Sequence, residues 1–132
     1  MARVLAFVDD LFFQAKMLET AKHVGVELEC VATSDALNRR VRERAPDLVV
    51  IDLNARAGGV EALEKLEPGN PLRVIAFLSH VQVELAERAR RAGCSEVMPR
   101  SKFTQDLANI FSQAKAQARL AGAKPGTAAE KL

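Results

Sequence analysis

The stretch "LAFVDDLFF" (residues 5–13) decides how the chain is read. An apolar run, Leu5 to Val8, meets two adjacent carboxylates, Asp9 and Asp10, and large apolar side chains resume at once with Leu11, Phe12 and Phe13. A continuous apolar run bounded in this way is the mark of a strand covered on both faces, as in a parallel sheet. Burial alone gives no reason to end such a strand on two like charges, because each carboxylate raises the cost of ionising the other. A solvated turn tolerates the pair, whereas a cation site requires it. Downstream, Phe13, Met17, Ala21 and Val24 recur at helical spacing, and Gly25 stands where a helix C-terminus favours a left-handed residue.

Working outward, the same strand-then-helix unit recurs along the chain. "RVLAFV" (3–8), "PDLVVIDL" (46–53) and "LRVIAFL" (72–78) are apolar throughout. "VELECVA" (26–32) alternates, with Val26, Leu28 and Cys30 against Glu27 and Glu29, which suits an edge strand with one wet face. "SEVM" (95–98) is brief, as a second edge strand would be. Between them lie helical patterns: 35–45 with Ser34 as N-cap and Leu37 and Val41 on one face, 58–67 closed by "PGNP" (68–71), 81–93 ended by Gly93, and a last helix from Phe103. Five such units predict an α/β fold, a (βα)5 doubly wound parallel sheet of flavodoxin-like strand order 2-1-3-4-5. The pattern dissolves after Lys115, so residues 1–115 are expected to form the domain and 116–132 a helix end and disordered tail.

A chain of 132 residues, 48% hydrophobic, is the size of one domain with a real core. No apolar run approaches the roughly 20 residues that a membrane span needs, and the N-terminus lacks a signal-peptide layout, so a cytoplasmic protein is expected. Cys30 and Cys94 share no motif with His23 or His80 and read as two small buried thiols of a reducing compartment. The formal charge of +2 conceals an asymmetry. From Gln113 on, Lys115, Arg119, Lys124 and Lys131 stand against Glu130 alone, which leaves the preceding body slightly acidic. Arg39, Arg40, Arg42, Arg44, Arg88, Arg90 and Arg91 are interleaved with Glu43, Glu84 and Glu87, the pattern of solvated helix faces, so nucleic acid is not an expected partner.

In an open parallel sheet the ligand site lies beyond the carboxyl ends of the strands, at the switch point between the first and third. Those ends carry Asp9 and Asp10, Asp52, Ser79 and His80, and Arg100. Three carboxylates converging with one arginine suit a hard divalent cation such as Mg2+, which takes oxygen ligands and keeps several waters. A flavin-type phosphate site is excluded, because "DDLFF" would repel a phosphate and Gly58-Gly59 is no phosphate loop.

These motifs together, "VDD", "DLVVIDLN", "VIAFLSH" and "AGCSEVMPRSKF", resemble the receiver domains of two-component response regulators, of the chemotaxis response-regulator type, over residues 2–115. The resemblance implies that Asp52 accepts a phosphoryl group from a histidine kinase or phosphotransfer protein. It implies further that Asp10 and Asp52 ligate Mg2+ directly, Asp9 through water, and Asn54 through its backbone carbonyl. Ser79 would bind the new phosphoryl oxygen, and a partner protein would read the 81–98 face, where Val81, Val83 and Ala86 stand. Such a domain phosphorylates itself and signals as a monomer or weak dimer; it is not a turnover enzyme.

The chain also departs from that family's pattern. Arg100 replaces a lysine, and it either grips the phosphoryl group in bidentate fashion or locks Asp52 in a salt bridge. Ser101 replaces a proline, leaving the preceding peptide open to either isomer. Val97 stands where an aromatic often switches. His80 is either a loop residue or a tuner of dephosphorylation, and Phe12 either packs under a loop or forms an apolar rim. The rival reading is a pseudo-receiver: the same fold kept as an interaction module without phosphoryl chemistry.

Overall fold

The chain is described from a computed structural model, which covers residues 1–66, 72–79 and 82–131, with side chains up to residue 120. Strands and helices alternate: β1 (Arg3–Phe7), α1 (Leu11–Val24), β2 (Glu27–Val31), α2 (Ser34–Glu43), β3 (Leu48–Asp52), α3 (Gly59–Glu64), β4 (Val74–Leu78), α4 (Val83–Arg91), β5 (Glu96–Pro99) and α5 (Arg100–Lys131). All strand pairs are parallel, and the order is β2-β1-β3-β4-β5, the doubly wound arrangement expected from the sequence. The turn at 68–71, His80 and Val81 lie outside the described residues.

Hydrophobic alternation explains how two layers of helix share one sheet. On one face Val4, Ala6, Leu48, Val50, Ile75 and Phe77 meet Phe13, Met17 and Ala21 of α1 and Phe103, Leu107 and Phe111 of α5. On the other, Leu5, Phe7, Val49, Ile51, Val74 and Ala76 meet Leu37 of α2, Val60 and Leu63 of α3, and Ala89 of α4. Since successive strand residues point to opposite faces, an unbroken apolar strand feeds both layers at once. Accordingly β1, β3 and β4 are buried along their whole length, while β2 and β5 are partly exposed. The wet face of β2 is an ionic seam: Glu27 pairs with Arg44 at 2.7 Å and Glu29 with Arg40 at 2.7 Å.

Several boundaries differ from expectation, each for a local reason. Helix α1 begins at Leu11, because the Asp10 side chain accepts the Phe13 amide hydrogen and caps it. Gly25 ends it in the left-handed conformation, φ 88°. The cap of α2 is Thr33, not Ser34: Thr33 Oγ1 accepts from the Ala36 amide at 3.1 Å, and Ser34 is the first helical residue. Helix α3 is shorter than 58–67, and β5 runs one residue later than expected. The last helix starts at Arg100 rather than Phe103, directly after Pro99. Beyond residue 115 its backbone continues helical to Lys131, and Ala118 still packs against the core. Among the described residues every peptide bond is trans, that before Ser101 included.

Candidate functional site at the carboxyl edge

The strands deliver their polar ends to one edge because the register aligns them. Asp52 is paired with Phe77 in the β3–β4 ladder, and Leu78 with Pro99 in the β4–β5 ladder, so Asp52, Ser79 and Arg100 follow one another across the sheet. Asp9 and Asp10 lie just past β1, which pairs with β3.

Asp52 is buried, at 4% exposure, and one carboxylate oxygen accepts the Asn54 amide at 2.9 Å. Burial pushes its carboxyl above the ordinary value; the Asn54 hydrogen bond and the Arg100 charge oppose this, and the charges of Asp9 and Asp10 add to it. Asp10 is shifted the other way. The Arg100 hydrogen bond, first, and the Phe13 amide hold its carboxyl below the ordinary range. Asp9 Oδ2 accepts the backbone amide of Arg56 at 2.9 Å, which ties the β1 loop to the β3 loop.

Arg100 donates from Nη2 to Asp10 Oδ2 at 2.8 Å, so its partner is Asp10 and not Asp52. Its guanidinium lies 4.3 Å from the centroid of the Phe13 ring and 5.9 Å from that of Phe77. Those rings belong to a cluster in which Phe77 and Phe103 stack at 4.7 Å and Phe13 meets Phe77 edge-on at 5.3 Å. An apolar, π-rich floor thus supports the Arg100 guanidinium, an arrangement that suits a planar cation better than an ammonium.

Asn54 has a second role that the sequence did not reveal. Its side-chain oxygen accepts the Ser79 amide at 2.6 Å, and its amide donates to Gln82 Oε1 at 2.8 Å. Gln82 is the residue before α4, and nothing in its type or spacing marks it beforehand. One residue therefore touches Asp52 through its backbone and both the β4–α4 loop and the start of α4 through its side chain.

The donor chemistry suits Mg2+, since three carboxylates are hard oxygen ligands. The arrangement does not fit it as it stands. Among the described residues no three His, Cys, Asp or Glu side chains are placed to hold a metal ion. Asp10 has one oxygen on the Phe13 amide and the other on Arg100, and Asp9 has Oδ2 on the Arg56 amide.

Around this edge, Phe12 is 92% exposed, which removes the expectation that it packs under a loop; Leu11 beside it is also exposed. On the 81–98 face Val83 is exposed but Ala86 is buried, correcting its expected availability. A groove of about 280 Å³ runs there between α4 and β5, lined by Leu78, Val83, Ala86, Val97 and Met98. Arg88 of α4 is engaged by Glu64 at 2.7 Å and Glu61 at 3.4 Å of α3, so this arginine pairs across elements rather than within its own helix. Both cysteines are free thiols; Cys94 is buried as expected, whereas Cys30, on the edge strand β2, is only partly so, and burial still pushes its thiol up to about 11. Among the described residues no helix is long and apolar enough to cross a membrane.

The fold and its acidic edge define a class: the chain has the fold of a response-regulator receiver domain. It is similar to the receiver domain protein from Clostridium thermocellum, with a TM-score of 0.75 at 21% identity over 91% of this chain and 98% of that one. A putative response regulator from Chloroflexus aurantiacus gives 0.74 at 13% identity, covering 87% of this chain and 98% of that one. NtrX from Brucella abortus, solved with ADP, gives 0.73 at 21% identity over 96% of this chain, which spans only 29% of NtrX. No family model matches the sequence, and no curated protein does.

Proposed function

We propose that the chain is a receiver that takes a phosphoryl group on Asp52 from a histidine kinase or phosphotransfer protein and signals by protein contact. The observation that carries this reading is the placement of Asp52: a buried carboxylate at the open edge of the sheet, oriented by the Asn54 amide and acted on by the charges of Asp9, Asp10 and Arg100, with Ser79 tied to Asn54 beside it. Packing alone gives no reason to gather these groups at one edge. Asp52 is the nucleophile, Ser79 stands on the loop that would meet the new phosphoryl oxygens, and Mg2+ supplies charge neutralisation when bound. The domain modifies itself once per signal and is not a turnover enzyme, and its place is the cytoplasm. The route outward runs from Asn54 to Gln82 and α4, and the face of α4 with β5 is where a downstream protein reads the state.

A second reading, the pseudo-receiver, is favoured by one specific observation, the Arg100–Asp10 pair, which engages a carboxylate that metal binding needs. Beryllofluoride with Mg2+, a phosphoryl mimic that adds to a carboxylate, separates the two. The receiver reading expects amide resonances of Asp52, Asn54, Ser79 and Gln82 to shift in the wild type and to stay fixed in Asp52→Asn. A wild-type spectrum that does not change would favour the pseudo-receiver.

A further inference from the structure

We infer that Arg88 clasps α4 to α3 and by doing so holds open the groove between α4 and β5. The width of that groove, and so the surface this face offers, is set from the far side of the helix. The clasp belongs to the fold and does not depend on phosphoryl chemistry at Asp52.

Three observations support it. First, the clasp and the groove lie on opposite sides of α4. Successive helical residues are turned by about 100°, so Arg88 stands nearly opposite the line of Val83, Ala86 and Arg90. Those three line the groove with Leu78, Val97 and Met98, whereas Arg88 faces Glu61 and Glu64 of α3. Second, the grip is a fork on a firm anchor. Arg88 Nε donates to Glu64 Oε2 at 2.9 Å and Nη2 to Oε1 at 2.7 Å, while Nη1 reaches Glu61 Oε2 at 3.4 Å. The Arg88 hydrogen bond also holds the Glu64 carboxyl below its ordinary range. Helix α3 buries Gly59, Val60, Ala62 and Leu63, so the carboxylates sit on an element that is itself well seated.

Third, α4 is loosely seated. Its buried residues are Ala86 and Ala89, whose methyl groups interdigitate little with the sheet, and Leu85 and Ala92 pack only in part. Gln82 tethers its N-terminal end, through the 2.8 Å bond from Asn54. The groove of about 280 Å³ is lined mainly by apolar side chains, so moving α4 toward β5 would remove apolar surface from water. That movement draws Arg88 away from Glu64, and the fork opposes it. The Arg88 and Glu64 side chains are 42% and 39% exposed, so salt screens the clasp and weakens it.

The test needs neither a phosphodonor nor a metal. Methyl–methyl nuclear Overhauser effects from Val83 and Ala86 to Val97 and Met98 report the width of the groove. They are measured in the wild type, Arg88→Ala, Glu64→Ala, the double variant and Arg88→Lys. In Arg88→Ala and Glu64→Ala they are expected to strengthen about threefold, the population shift that an exposed ion pair of good geometry supplies. The double variant is expected to match either single one, because each loses the same contact. Arg88→Lys keeps the charge without the fork and is expected to fall between wild type and Arg88→Ala. Raising NaCl to about 1 M, where the Debye length is about 3 Å, is expected to strengthen the effects in the wild type and leave Arg88→Ala unchanged. Effects that are unchanged or weaker in folded Arg88→Ala and Glu64→Ala would overturn the inference. So would a double variant that sums the two single ones, or a salt response that survives in Arg88→Ala.

Discussion

At the scale of single residues the site is governed by two aspartates shifted in opposite directions by their surroundings. Asp52 is raised chiefly by burial, and Asp10 is lowered chiefly by Arg100. The sign of each effect on stability follows from proton linkage. Between the ordinary Asp value of 3.8 and the higher value it has in the folded chain, Asp52 binds more protons folded than unfolded. Its contribution therefore falls as pH rises through that window, and above the window the ionised carboxylate is a standing penalty. Asp52→Asn removes it, so the melting temperature at neutral pH is expected to rise by a few degrees. The difference from wild type should shrink on acidification and vanish below 3.8. Thermal melts of both proteins across that range check this, and an Asn variant no more stable at neutral pH would contradict it. Asp10 behaves inversely: its contribution is present above 3.8 and is lost as pH falls through its lowered folded value.

At the scale of elements the decisive contact is between α3 and the end of β3. Gly59, the first residue of α3, lies so close to the strand that a Cβ there would collide with the Asp52 carbonyl oxygen and approach the Leu53 Cα to 2.8 Å. Both are backbone atoms of the segment that carries Asp52, so neither yields cheaply. Gly59→Ala is expected to cost about 2 kcal/mol or more, read as a lower denaturation midpoint, and to shift the Asp52 and Asn54 amides. An alanine variant with wild-type stability would show that α3 is not held against the strand in this way. This contact also marks what the sequence concealed. In the sequence Gly58-Gly59 shows only that it is no phosphate loop, because close approach of two backbones leaves no residue type behind except the absence of a side chain. The strands were legible, since an unbroken apolar run has one economical explanation in a sheet covered on both faces. Helix starts were less so: Asp10 looked like part of a cation site and is also the cap of α1, and Thr33 took the capping role expected of Ser34. Which carboxylate Arg100 would choose was not legible at all, because it depends on the Phe13 ring that supports the guanidinium from another helix.

At the scale of the whole molecule, the layer under α1 and α5 ties the site to the core. Phe77 lies fully buried between Phe13 and Phe103, beneath the edge where Arg100 sits. Phe77→Ala is expected to remove about 3–5 kcal/mol, a large share of a small domain's margin, by equilibrium denaturation. A loss below about 1 kcal/mol would mean that the layers close over the gap, and that the aromatic floor is not rigid. The central claim is that this fold performs phosphoryl chemistry at Asp52, and the intact mass of the protein after incubation with acetyl phosphate and Mg2+ tests it most directly. The account predicts a gain of one phosphoryl group in the wild type that is absent without Mg2+ and absent in Asp52→Asn; no gain in a folded wild-type sample, or an equal gain in Asp52→Asn, would contradict it.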